Sequence, residues 1–139
     1  MAITQAMATS FKAEILDEQH DLAADTLKIA LYTSSASLDA STTAYTTSNE
    51  VASGNGYTTG GETLANKTVS TSGTTAFFDA DDPTWTSASF TARGALIYND
   101  TNGDKAIAIL NFGGDFTVSS GTFRIVFPAA GANAIITIA

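Results

Sequence analysis

The sequence predicts a mainly β fold: a single antiparallel β-sandwich or jelly-roll-like domain with one N-terminal α-helix. Three observations carry that expectation. Apolar and polar residues alternate in many short runs, at the period of two that a pleated strand imposes. Gly, Asn, Asp and Pro separate these runs at near-regular intervals, the pattern of a sandwich or barrel. Thr and Ser make up about a quarter of the chain, and Thr favours strands.

Taken in order, residues 1–8 read as an uncharged N-terminal arm and residues 9–24 as the helix. Phe11, Ile15, Leu16 and Leu22 recur at near-helical spacing, with Lys12, Glu14, Asp17, Glu18 and Gln19 between them. Thr9 or Ser10 supplies the N-cap, with no capping-box Glu at the right offset. Residues 26–139 then form the sandwich. TLKIALYT reads as a half-buried strand, Leu27, Ile29 and Leu31 inward and Lys28, Ala30 and Tyr32 outward. The polar stretch that follows holds short strands near Tyr45–Val51 and Tyr57–Thr59, between turns rich in Gly and Asn. Further strands are expected at Thr63–Val69, Thr74–Phe78, Thr84–Phe90, Gly94–Asn99, Lys105–Phe112, Thr122–Phe127 and Ala134–Ile138. No composition break marks a second domain in the 139 residues.

Composition excludes several classes of function. The net charge is −8, from 14 acidic and 6 basic residues. That balance disfavours direct contact with a nucleic-acid backbone, which takes clustered Lys and Arg, and attachment to an anionic membrane. There is no Cys, so there is no disulfide framework or thiolate chemistry. The opening MAITQAMATSFKAEIL lacks the basic and apolar regions of a secretory signal, and no run approaches the roughly 18 apolar residues of a membrane span.

Each candidate for chemistry has a plainer competitor. Asp100, Asn102 and Asp104 alternate as in the first half of a calcium loop. However, Lys105 stands where the loop needs Gly, Asn111 where it needs Glu, and strands flank it instead of helices. Asn102-Gly103 between alternating apolar runs signals a hairpin, because both residues tolerate positive φ. Asp79, Asp81 and Asp82 form a second acidic cluster, read first as a solvated loop that Pro83 ends. Both sets are therefore weak metal candidates, and no cofactor is expected.

GNGYTTGGETL has no G-K-[ST] and is not a phosphate loop. His20, the single histidine, reads as an exposed helix residue near carboxylates, with no G-x-S-x-G nucleophile to serve. Asn66-Lys67-Thr68 and Asn99-Asp100-Thr101 match a glycosylation acceptor, which matters only in a secreted chain. No pair of carboxylates stands out for glycoside hydrolysis. The expectation is that the protein is not an enzyme.

The blocks KIALYTSSA, TAYTTSNEV, GYTTGG and ARGALIYN, closed by GTFRIVFP and NAIITIA, occur in one order from Ser10 to Ile138. In that combination the chain resembles small virion structural proteins of tailed bacteriophages. The resemblance implies a particle component, most simply a head decoration or cement protein on the capsid exterior, made in the host bacterial cytoplasm. Its implied partners are the major capsid protein and further copies of itself, a homotrimer being favoured, with no nucleic acid and no membrane. Ile3, Phe11 and Trp85 are the candidate interface residues, and the segment MAITQAM is expected to order on the shell, so that its removal leaves the fold intact. The alternative is a tail or fibre module that recognises host-surface glycans, with Tyr32, Tyr45, Tyr57 and Trp85 as exposed aromatics for a sugar face, although strand-edge and core positions explain these aromatics equally well and Trp85 reads as a core or subunit-contact residue.

Overall fold

Two antiparallel sheets and one short helix make up the chain in a computed structural model, which describes residues 2–139. The order is β1 (Ala6–Met7), α1 (Thr9–Leu16), β2 (Leu27–Tyr32), β3 (Glu62–Thr63), β4 (Thr68–Ser72), β5 (Thr75–Asp79), β6 (Thr84–Asn99), β7 (Lys105–Arg124) and β8 (Ile136–Ile138). The larger sheet runs β1-β7-β6-β2-β3 and the smaller one β4-β5-β8. The architecture is that of the expected β-sandwich with one N-terminal helix.

The helix is half as long as expected. It ends at Leu16 because Glu18 takes a left-handed φ of 60°, and the Gln19 N–H returns to the Glu14 carbonyl at 2.9 Å. That is the Schellman stop, here without glycine. Leu22, which extended the helical pattern in sequence, is buried in the loop beyond. The N-cap is Ala8, with no side-chain cap from Thr9 or Ser10.

β6 and β7 form one long hairpin around the turn Asp100–Asp104, as Asn102-Gly103 signals. Each was expected as two strands. The apparent breaks are irregularities within the pairing. Ala92 faces Phe116 and Gly94 faces Asn111, so residues 112–115 bulge opposite Arg93 alone. Such insertions bend a strand without ending it. Elsewhere the structure is less regular than expected: 45–51 and 57–59 contribute isolated bridges, and Thr63–Val69 is divided between β3 and β4.

β2 is central and buried on both faces instead of one; of its six residues Lys28 alone is partly exposed. The segment 33–61 supplies the second cover. Tyr45 stacks on Tyr98 at 4.5 Å, and Tyr98, paired with Lys28 and so on its face, donates to the Gly60 carbonyl at 2.7 Å. Glu50 ties this segment down. Its carboxylate accepts from the Tyr45 hydroxyl at 2.6 Å, the Gly60 N–H at 2.8 Å and the Tyr57 hydroxyl, which itself accepts from the Leu31 N–H. Gly61 makes the close approach possible: at φ +82°, a Cβ there would lie 1.8 Å from the Ile29 carbonyl oxygen.

The N-terminal residues belong to the same core. Ile3 bridges Leu38 in parallel, is 6% exposed, and fills the space that a Cβ on Gly94 would occupy. β1 adds to the β7 edge through Ala6↔Ile109 and Met7↔Ala108. The expected free arm is therefore a docked part of the domain.

Candidate functional site

The sequence candidates divide sharply once placed. Ile3, Phe11 and Trp85, expected at an interface, are 6%, 1% and 1% exposed within this chain. Side chains so enclosed belong first to this chain's own core, and of the three Phe11 alone also reaches the apolar groove described below. Tyr32 and Tyr57 are buried too, and Tyr45 is stacked on Tyr98, so the expected aromatic sugar platform is absent from these residues. The rings serve the core instead: Trp85 meets Tyr57 and Phe123, and Phe90 meets both of those partners.

His20 is also buried, against the expectation of an exposed helix residue. Its Nε2 lies 2.9 Å from Glu14 Oε1, and its Nδ1 lies 3.0 Å from the Asn99 side-chain amide nitrogen. Asn99 is held in that orientation because its oxygen accepts from the Thr101 and Asn102 N–H groups. An amide nitrogen only donates, so Nδ1 accepts and Nε2–H donates to Glu14. Asn99 also donates to Asp25, and that bond in the first place holds the Asp25 carboxyl below the usual carboxylate range. The arrangement resembles a catalytic relay in composition, yet no nucleophile adjoins it. It latches the segment after α1 to the β6–β7 turn.

Of the acidic groups, Asp81 and Asp82 are engaged through their carboxylates, whereas one buried oxygen of Asp79 has no hydrogen-bond partner. Asp82 accepts the Phe127 N–H at 2.8 Å and Arg124 Nη2 at 2.7 Å, and these bonds, the backbone one foremost, lower its pKa. Asp81 accepts from Asn66. In the other cluster, the Asp100 N–H bonds the Thr26 carbonyl, the Asp104 carbonyl takes the Tyr45 N–H, and Asn102 bonds the Gln19 carbonyl. Among the described residues, no three His, Cys, Asp or Glu side chains converge as a metal site.

Besides a polar groove of about 670 Å³ along Asp79, Asp81, Asp82 and Arg124, the surface presents two grooves lined mainly by apolar side chains. A groove of about 580 Å³ lies between the α1 region and one face of the small sheet. In register, Phe78 pairs with Val69 and Ile136, and Ala76 with Ile138. These residues therefore share the face that floors the groove, while Phe11 and Ile15 wall it. Val69 and Ile138 remain 55% and 58% exposed there. A smaller groove of about 440 Å³ on the far part of β7 leaves Phe116 and Val126 exposed. Exposed side chains clustered in this way mark binding surfaces more often than scattered ones do. Neither groove was legible in sequence, because Val69 and Ile138 meet only through strand register.

Comparisons with family models, with curated proteins and with solved structures give no significant match. Among the described residues, no helix is long and apolar enough to cross a membrane.

Proposed function

We propose that the protein is a structural component of a tailed-bacteriophage particle: a head decoration protein that binds the outside of the capsid shell and stabilises it. The observation that supports this reading is the apolar groove in which Val69 and Ile138 stay exposed. Such a surface is suited to docking against another protein. The resemblance in the ordered sequence blocks supplies the particle. A charge of −8 keeps free copies soluble and apart until the shell captures them.

A ligand that binds only the assembled lattice stabilises the lattice by mass action. Small contacts repeated over many sites therefore suffice. Symmetric self-association, a trimer in the simplest case, would match quasi-three-fold positions on a shell. Copy number tests the reading. Quantitative mass spectrometry of purified virions should give a simple fraction of the major capsid protein, such as one or one third. A handful of copies, or none, would refute a decoration role.

A further inference from the structure

The small sheet ends on one side in a strand with nothing beside it. β4 reads Thr-Val-Ser-Thr-Ser, and all five residues are exposed. Edge strands that remain unpaired usually carry a lysine, a proline or a bulge. β4 has none of these and pairs with β5 residue by residue from Thr68↔Asp79 to Ser72↔Thr75.

The turn determines which backbone groups are free. Gly73, at φ 59°, and Thr74 form a two-residue loop, which makes Ser72 and Thr75 a hydrogen-bonded pair. Alternation along the ladder then leaves the N–H and C=O groups of Val69 and Thr71 pointing away from β5. The side chain of Val69 lies on the groove face, beside Phe78 and on the same face as Ile138. Free backbone groups and uncovered apolar surface therefore coincide along one line.

Charge narrows the occupant. On the opposite face Asp79, paired with Thr68, has a buried carboxylate oxygen without a hydrogen-bond partner. A strand laid along β4 sends alternate side chains to these two faces. Apolar residues fit over Val69, and basic ones fit the Asp79 side.

We propose that the free edge of β4 and the adjoining groove bind an extended segment of another protein, in which apolar residues alternate with basic ones, as a fourth strand of the small sheet. Backbone pairing supplies the affinity and the alternating side chains supply the specificity. The inference deepens the decoration reading and rests on it for the partner, the shell subunit. The chemistry of the edge is testable without the particle.

The test is a nitrogen-15 NMR titration of the full chain with two octapeptides, (Lys-Val)4 and (Glu-Val)4. With (Lys-Val)4, the amides of Val69 and Thr71 should shift saturably, whereas (Glu-Val)4 should leave them in place. Thr71→Pro removes an outward N–H that β5 does not use, and Val69→Lys puts a charge on the groove face. Each should weaken binding by about tenfold or more, while Val126→Lys, at the other groove, should bind as the parent does. Equal response to both peptides, no response, or shifts centred on Val126 would overturn the proposal. So would shifts at Val69 and Thr71 that depend on protein concentration without peptide, since the edge would then take a second copy. Peptide binding by a protein absent from virions would refute the decoration role and leave the edge proposal standing. Particle incorporation without peptide binding would do the reverse.

Discussion

Replacing Glu50 by Ala should be among the most damaging changes available at a partly exposed position. Glu50 is the shared acceptor for the Tyr45 hydroxyl, the Tyr57 hydroxyl and the Gly60 N–H. The three donors differ in what they can do without it. Tyr45 is partly exposed and can turn to water. Tyr57 and Gly60 are buried, and the carboxylate is the acceptor for both. A buried donor left unsatisfied costs about 1–3 kcal/mol, so two of them give about 2–6 kcal/mol. Glu50→Gln keeps an oxygen for one donor and should cost about 1–2 kcal/mol on the same reasoning.

The assay is equilibrium unfolding in urea, followed by the fluorescence of Trp85, the one Trp in the chain. With a slope of about 1–3 kcal/mol per molar urea, Glu50→Ala should lower the midpoint by at least about 0.7 M. A loss below about 1 kcal/mol for Glu50→Ala would show that the 33–61 segment is held by its apolar contacts alone, and the account of the Glu50 knot would fail.

Other expectations follow from the same packing. Burial pushes the ionisation of Tyr32, Tyr45, Tyr57 and Tyr98 well above the ordinary tyrosine range, with help from the Glu50 charge at all four. A folded-state pKa raised above its unfolded value contributes stability that is complete below the unfolded value of roughly 10 and is lost as pH rises toward the folded one. Absorbance near 295 nm should therefore show little tyrosinate at pH 10 and then release all four tyrosines together with unfolding; a simple titration centred near 10 would contradict this. Deleting residues 1–7 removes the buried Ile3 and strand β1, and should cost about 3 kcal/mol in urea unfolding, where a free arm would cost nothing. Trp85→Ala should cost about 3–5 kcal/mol through the cavity it leaves among Tyr57, Phe90 and Phe123.

Much of the fold was legible because strand period and turn chemistry are local. Asn102-Gly103 placed the β6–β7 turn, and Leu27–Tyr32 was recognisable as a strand. What failed depended on tertiary context. The Gly113-Gly114 pair reads as the end of a strand, yet opposite Arg93 it forms a bulge in a continuing one. Leu22 keeps helical spacing, but the chain leaves the helix at Glu18 and buries Leu22 by another route. Burial was the larger error. Ile3, Phe11, Trp85 and His20 have polar neighbours in sequence, which hid that the fold folds each of them inward. Glu50 carried a weak signal, a lone acid in a stretch rich in Tyr, Thr and Gly, but its three donors come together only when residues 45, 57 and 60 do. The apolar groove was illegible for the same reason.

The central claim, that the chain binds and stabilises a capsid shell, is tested most directly by adding the purified protein to particles from which it has been removed. Binding should saturate at a fixed fraction of the capsid subunits, and calorimetry should show the shell disrupting at a higher temperature when saturated, the shift growing with free protein concentration. Particles that take up none of it, or take it up without any gain in shell stability, would contradict the account.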